Sequence, residues 1–284
     1  MKISTCISFD DIETLEPKFA RLAKNGFDSC QLHTWKREQW TDENVKIIKG
    51  LTEKYGVTIH SMWNGWSGPK DRMWNFYDGP LVLGLVPPEY RYHRMLELCD
   101  GADFAKKLGI TDVVTHMGYI PENPHDPNFA GLVRAIKFVA THLKANGQYL
   151  LFETGQETPV TMLRCFEEIG MDNLGVNFDT ANLICYGKAN PVDALYIIGK
   201  YVRNIHAKDS DYPPNGHELG AEKRIGEGRV DFKGVFKKLI ELGYDGYVTI
   251  EREIPEGDEQ TKDINDSRDY LLSKIEEARK ELMG

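Results

Sequence analysis

The chain has 284 residues, 41% of them hydrophobic and 28% charged, which is ample material for a large buried core and the composition of an ordinary globular protein. Its 44 acidic and 35 basic residues leave a formal net charge of -9, which argues against a nucleic-acid partner, whose phosphates call for a concentrated basic face. Five cysteines (Cys6, Cys30, Cys99, Cys165 and Cys185) are scattered without a CxxC pair, the pattern of reduced thiols in a cytoplasmic protein.

The opening MKISTCISFDD lacks the apolar stretch of a signal peptide, and no apolar run approaches the roughly 18 residues needed to cross a bilayer. A soluble, cytoplasmic chain with no membrane contact is expected. Lys2–Ser8 then reads as a strand, and Leu15–Lys24 (LEPKFARLAK) sets apolar residues at helical spacing until Asn25-Gly26 stops it. Phe27–His33 and Asp42–Tyr55, closed by Gly56, repeat strand then helix, and Val57–Met62 (VTIHSM) is a third strand.

From Trp63 to Pro88 the chain is irregular, punctuated by Gly65, Gly68, Pro69, Gly79, Pro80, Gly84, Pro87 and Pro88. Trp63, Trp66, Trp74, Phe76 and Tyr77 make it too aromatic for a disordered segment, so an ordered flap is expected.

Glu89–Leu108 is the third helix and Asp112–Met117 the fourth strand, followed by the helix Pro127–Asn146 and the strand Tyr149–Glu153. Pro159–Ile169, Leu174–Asp179, Pro191–Lys200, Val202–His206, Asp231–Leu242, Tyr247–Glu251 and Asp263–Leu282 continue the alternation. Strands alternating with helices imply a parallel sheet with right-handed crossovers, and eight units of about 35 residues fit one closed (β/α)8 TIM barrel spanning residues 1–284. The alternative is an open doubly wound sheet, but no GxGxxG follows the first strand to favour it.

Four of the apolar runs deliver ionisable groups at their ends: YLLFE at Glu153, LGVNFD at Asp179, VRNIH at His206 and YVTIE at Glu251. Any one of them alone is more often a helix cap or a salt-bridge partner. In a barrel, however, the C-terminal ends of consecutive strands surround one mouth. Three carboxylates meeting there repel one another unless a cation neutralises them or some are protonated. An oxygen-rich set with one imidazole suits Mn²⁺, Mg²⁺ or Co²⁺ best, with Zn²⁺ the next choice.

FETG at Phe152–Gly155, NFDTANL at Asn177–Leu183, HAKD at His206–Asp209, GEGRVDF at Gly226–Phe232 and TIERE at Thr249–Glu253 resemble the xylose isomerase-like barrels, the family of sugar phosphate isomerases and epimerases. The resemblance implies that Glu153, Asp179, His206 and Glu251 bind one divalent metal, with Glu153 and Glu251 doubling as the acid/base pair. A proton removed next to a carbonyl leaves an enediolate. Returned from the opposite face the proton inverts the carbon, and returned to the neighbouring carbon it interconverts aldose and ketose. The implied partner is a small sugar or sugar phosphate, and family members are often homodimers or homotetramers.

Asn182 stands three residues after Asp179, where many epimerases of the family carry a histidine; an amide hydrogen-bonds a sugar oxygen but does not shuttle protons. A metal-dependent dehydratase of a keto-inositol or sugar acid uses nearly the same residues and is the alternative reading. The relative endonuclease IV is disfavoured by Asn182, by Lys223-Arg224-Ile225 in place of an Asp-x-His before GEG, and by the acidic charge. A sugar-binding protein without catalysis has no need of two glutamates on a metal.

Further substrate contacts are expected from His60 and His116 at the ends of strands three and four, from Trp63 and Trp66 stacking on a sugar face, and from Lys208. Lys223, Arg224 and Arg229 lie in the loop after the seventh strand, where barrels often hold phosphate. Their other reading is a solvated, salt-bridged loop. Asp209 is expected to orient Lys208 or His206, and His33, His93, His125, His142 and His217 are unassigned.

Overall fold

In the computed structural model, which describes residues 1–70 and 72–284, each of the eight apolar runs forms a parallel strand of one closed barrel. The strands are β1 (Lys2–Ser8), β2 (Ser29–Thr34), β3 (Thr58–Asn64), β4 (Asp112–Thr115), β5 (Tyr149–Glu153), β6 (Leu174–Asp179), β7 (Val202–Ala207) and β8 (Tyr247–Ile250). They pair in sequence order around the barrel, and β8 closes it on β1 with Lys2 opposite Tyr247 and Thr5 opposite Ile250.

The helices that return the chain are α1 (Leu15–Lys24), α2 (Asp42–Tyr55), α3 (Pro88–Lys107), α4 (Pro127–Ala145), α5 (Pro159–Ile169), α6 (Pro191–Ile198), α7 (Phe232–Glu241) and α8 (Asp258–Met283). Their starts follow from local chemistry. Asp126, Thr158 and Asn190 each accept a hydrogen bond from a first-turn amide and are followed by proline at the first helical position, where the missing N–H costs nothing. Side chains from strands and helices form one apolar layer around the barrel, including Phe9, Phe19, Phe104, Phe152, Phe178 and Phe236.

Besides short 3-10 turns at Ile12–Thr14 and Arg37–Gln39, larger departures from regular alternation lie at the C-terminal rim among the described residues. A short helix, Thr180–Cys185, starts directly after β6. A two-stranded antiparallel ribbon pairs Asp209–Ser210 with Glu222–Lys223 after β7. The third is the flap after β3, whose described residues are ordered and include one helical turn, Gly79–Val82.

Arg94, on α3 and buried, anchors the flap. Its guanidinium donates to the carbonyls of Ser67 (3.1 Å), Val82 (2.6 Å) and Gly84 (2.7 Å) and lies over the rings of Trp66 and Tyr90. Trp66, read as a possible sugar platform, is consumed by this packing, being 2% exposed and wedged between Trp35, Trp63 and Arg94. Gly84 and Gly118 let the flap approach the end of β4: both have positive φ, and a Cβ on either would lie 2.2 Å from backbone of the other segment.

Candidate metal centre and active site

Glu153 is the last residue of β5 and Asp179 the last of β6; His206 is the penultimate residue of β7, and Glu251 follows β8. In register, Asp179 lies opposite His206, and His206 opposite Thr249. One ligand atom from each of Glu153, Asp179, His206 and Glu251 lies within 4.8 Å of the others. The structure therefore brings together the four residues expected from the strand ends.

His206 sits among the three acids. Its Nδ1 is 3.1 Å from Glu153 Oε1, 3.4 Å from Glu251 Oε2 and 3.8 Å from Asp179 Oδ2. Its Nε2–H donates to Gln31 Oε1 at 2.7 Å. Burial disfavours a charged imidazole, but Glu153 and Glu251 outweigh that and hold His206 well above its ordinary value.

Glu153 also accepts from the indole N–H of Trp63. Burial pulls its carboxyl up, yet His116 and His206 prevail and leave it lowered. For Glu251, burial is outweighed by Lys208 and His206, which keep it well below the ordinary carboxylate range. Asp179, fully buried, is driven up to about 7 by burial.

One oxygen of Asp179 accepts from the Asn182 amide at 2.7 Å and caps the short helix. The other, Oδ2, is buried with no hydrogen-bond partner. An orphaned carboxylate oxygen facing an imidazole and two glutamates fits a divalent cation, which would satisfy it and neutralise the acids.

Above the four residues lies a cavity of about 450 Å³. Trp63 and Trp35 wall one side, Trp74 reaches in from the flap, and Asn182, Tyr186 and Lys208 border it opposite. His116 lines it with Nε2 3.8 Å from Glu153 Oε1 and Nδ1 buried without a partner; burial lowers its basicity. Lys208 is buried, with Nζ 3.2 Å from Glu251 Oε2 and in contact with Glu253. Burial works against its charge, but Glu251 and Glu253 hold the ammonium well above its ordinary value.

Besides Trp66, the expected contacts from His60 and from the loop cations Lys223, Arg224 and Arg229 fall elsewhere. His60 does not reach the mouth: β3 runs on to Asn64, and the register between β2 and β3 shifts at Cys30 and Gln31. Its ring stacks at 4.0 Å on Tyr247, the first residue of β8, and its nitrogens meet Ser4 Oγ at 3.0 Å and Ser61 Oγ at 2.9 Å. It is a polar group of the barrel interior, one layer below the site. Arg229 points outward, its side chain 72% exposed and 3.5 Å from Asp211. The neighbouring cations are committed too, Lys223 to Asp211 at 3.1 Å and Arg224 to Asp263 at 2.7 Å.

Asp209 contacts neither Lys208 nor His206 through its carboxylate. Instead it gathers the GEGRV loop, accepting from the amides of Gly226, Gly228 and Val230 at 2.9, 2.9 and 3.1 Å. Gln31, His33 and Trp35, to which the sequence assigns no role, also belong to the site. His33 lines the cavity 5.8 Å from the His206 ring, and its Nε2–H donates to Gln31 at 2.7 Å. Burial pushes it down to about 4.

Residues 19–274 match the family model described as "Xylose isomerase-like TIM barrel". The chain belongs to this family. Among solved structures, a xylose isomerase domain protein from Planctomyces limnophilus is 30% identical, with 98% of each chain covered and a TM-score of 0.89. The chain is 25% identical to an inosose dehydratase of Lacticaseibacillus casei over 153 residues, 46% of this chain and 50% of that protein. L-ribulose 3-epimerase superimposes with a TM-score of 0.75 over 100% of this chain and 97% of that one, at 17% identity, a likeness of fold alone. The protein is thus a xylose isomerase-like barrel with an epimerase and a dehydratase among the proteins it is similar to, and its Glu/Asp/His/Glu cluster is one that can hold a metal ion.

Proposed function

We propose that the protein is a divalent-metal-dependent isomerase or epimerase of a small sugar, working through an enediolate. The observation that carries this reading is the placement of two glutamates, the buried Glu153 and the half-buried Glu251, against the same nitrogen, Nδ1, of His206 at the floor of a cavity walled by tryptophans. Glu153, Asp179, His206 and Glu251 would hold the ion, with Mn²⁺, Mg²⁺ or Co²⁺ favoured by the oxygen-rich set. When bound, the ion supplies Lewis-acid polarisation of a carbonyl oxygen.

The chain's own groups supply the rest. One of Glu153 and Glu251, each held ionised in the free protein by neighbouring cationic or imidazole groups, takes the proton from the carbon next to the carbonyl and returns it as the acid so formed; return from the opposite face requires the other glutamate to have taken up a proton first. The Lys208 ammonium beside Glu251 is placed to stabilise negative charge developing on a substrate oxygen. Asn182 and His116 orient hydroxyls, and Trp63 offers its ring to an apolar sugar face.

A free sugar suits the cavity better than a sugar phosphate. Among the described residues lining it, Lys208 is the one Lys or Arg, faced by Glu153, Glu222, Glu251 and Glu253. A phosphate dianion would meet more negative charge than positive there, while the loop cations face acids outside the cavity.

The purified, metal-loaded protein should exchange a carbon-bound hydrogen of an unphosphorylated ketose with solvent deuterium and release an epimer or isomer. Exchange absent across a panel of ketoses, or undiminished after the metal is stripped, would overturn the assignment. The likeness to inosose dehydratase favours one second reading, loss of a β-hydroxyl after the same proton abstraction; a dehydrated product in the same assay would establish it.

A further inference from the structure

His206 is bordered on its other side by a second group of donors. The thiol of Cys6 at the mouth end of β1, an imidazole nitrogen of His33 near the end of β2, an imidazole nitrogen of His206 and a carboxylate oxygen of Glu251 all lie within 4.8 Å of one another. Cys6 Sγ is 4.0 Å from His206 Nε2, the nitrogen turned away from the three acids. One thiol, two imidazoles and one carboxylate form a softer set than Glu153, Asp179, His206 and Glu251. Four such donors, sulfur and nitrogen included, are what tetrahedral d¹⁰ ions select.

The site also has an approach of its own. A cavity of about 180 Å³ runs beside the β8–β1 seam and is lined by Cys6, His33 and Glu251 together with Arg21, Glu256 and Gln260. It is distinct from the substrate cavity on the Trp63 side, although His33, Glu251 and Glu253 border both.

We propose that Cys6, His33, His206 and Glu251 form a second metal site, selective for a soft divalent ion such as Zn²⁺ or Cd²⁺, that competes with the carboxylate centre. The competition follows from His206 itself. A neutral imidazole offers one lone pair and carries its proton on the other nitrogen. With Nε2–H on Gln31, the lone pair of Nδ1 faces Glu153, Asp179 and Glu251. With the proton on Nδ1 and donated to Glu153, the lone pair of Nε2 faces Cys6. Binding at the second site releases the Cys6 proton to solvent and takes Glu251 and His206 from the first. A soft ion would thereby be held off the acid/base pair, and excess zinc would inhibit. The proposal shares two residues with the carboxylate centre but does not depend on the reaction assigned to it.

The test is an ultraviolet titration of the metal-stripped protein with Cd²⁺, whose bond to a thiolate gives a ligand-to-metal charge-transfer band. The native protein should show the band saturating at one equivalent, and saturation should displace bound Mn²⁺. The band should vanish in Cys6→Ser, weaken at least tenfold in apparent affinity in His33→Gln, and persist in Asp179→Asn and in Cys185→Ser, with circular dichroism confirming each fold. If Cys6→Ser does not fold, the His33→Gln and Asp179→Asn pair still decides. No band in the native protein, a band that survives Cys6→Ser, or one lost in Asp179→Asn would overturn the proposal. Failure of the carboxylate centre would show separately, as native protein that binds no Mn²⁺.

Discussion

The side-chain oxygen of Gln31 accepts the Nε2–H of His206 at 2.7 Å. The amide cannot be turned the other way round without loss, because its nitrogen donates to Ser61 Oγ at 2.8 Å and its oxygen takes a second N–H from His33. Gln31 thus favours the proton of His206 on Nε2 and leaves Nδ1 for the carboxylate centre, the arrangement in which an outer partner sets the tautomer of a metal-ligating histidine; an ion bound through Nε2 on the Cys6 side has to break this hydrogen bond. Replacing Gln31 by leucine is predicted to lower Mn²⁺ affinity by about 10- to 100-fold with the fold intact, while Gln31→Glu, which keeps an acceptor, restores most of it. Equilibrium dialysis of the metal-stripped variants checks this; equal affinity in Gln31→Leu and native protein would remove Gln31 from the role.

Glu153 and Glu251 carry the proposed acid/base work, and each lies beside an imidazole or an ammonium that holds it ionised. Glu153→Gln and Glu251→Gln preserve shape and the ability to accept a hydrogen bond but remove the base. Each is predicted to lower kcat on an identified substrate by at least about 10²-fold without changing the circular dichroism spectrum. Turnover near the native rate in both variants would contradict the mechanism.

How much of this was legible depended on where each residue sits relative to its strand. The barrel and the four metal-centre candidates were readable because β-type runs closed by Glu153, Asp179, His206 and Glu251 recur in consecutive units, and barrel topology turns that into proximity. Gln31 and His33 carried a weaker signal: they alternate along β2 on the inward face, and although the predicted strand Phe27–His33 ends on His33, Gln31 lies inside the run and is not ionisable. His60 was misplaced because the register shift beside it and two further strand residues, Trp63 and Asn64, are set by pairing with β2 and leave no mark in composition. A salt-bridged loop was one of the two readings of Lys223, Arg224 and Arg229 and is the one the structure shows; their partners were hidden, since Asp211 and Asp263 meet them only once the ribbon and α8 are in place.

Two loops close over the cavity. The Tyr77 hydroxyl from the flap meets His217 Nδ1 from the loop after β7, and the two rings are stacked with 4° between their planes. Trp74 from the first loop and Leu219 from the second both line the cavity below. An exposed hydrogen bond of this kind contributes on the order of 1 kcal/mol, enough to shift a closed lid toward open several-fold. Tyr77→Phe is therefore predicted to raise KM a few-fold with kcat little changed, because the group touches neither Glu153 nor Glu251. Steady-state kinetics resolves the two; a fall in kcat at constant KM would place Tyr77 in the chemistry instead.

Glu157, in the loop after β5, is 4% exposed with Oε1 lacking a partner. Burial pushes its carboxyl up from 4.5 to about 8, more than the nearby backbone amides and Lys188 pull it down. A group whose folded value is raised binds its proton more tightly in the folded state. Its stabilising effect is fully present below pH 4.5, drains away as pH rises towards about 8, and changes no further above that. At roughly 1.4 kcal/mol per unit the loss across the window is a few kcal/mol. Glu157→Gln keeps the shape and stays neutral, so it escapes this loss. Urea unfolding of native protein and variant should give similar stabilities near pH 5, and the variant should be the more stable by a few kcal/mol near pH 8.5. Parallel pH profiles for the two proteins would show that Glu157 does not hold its proton in the folded state.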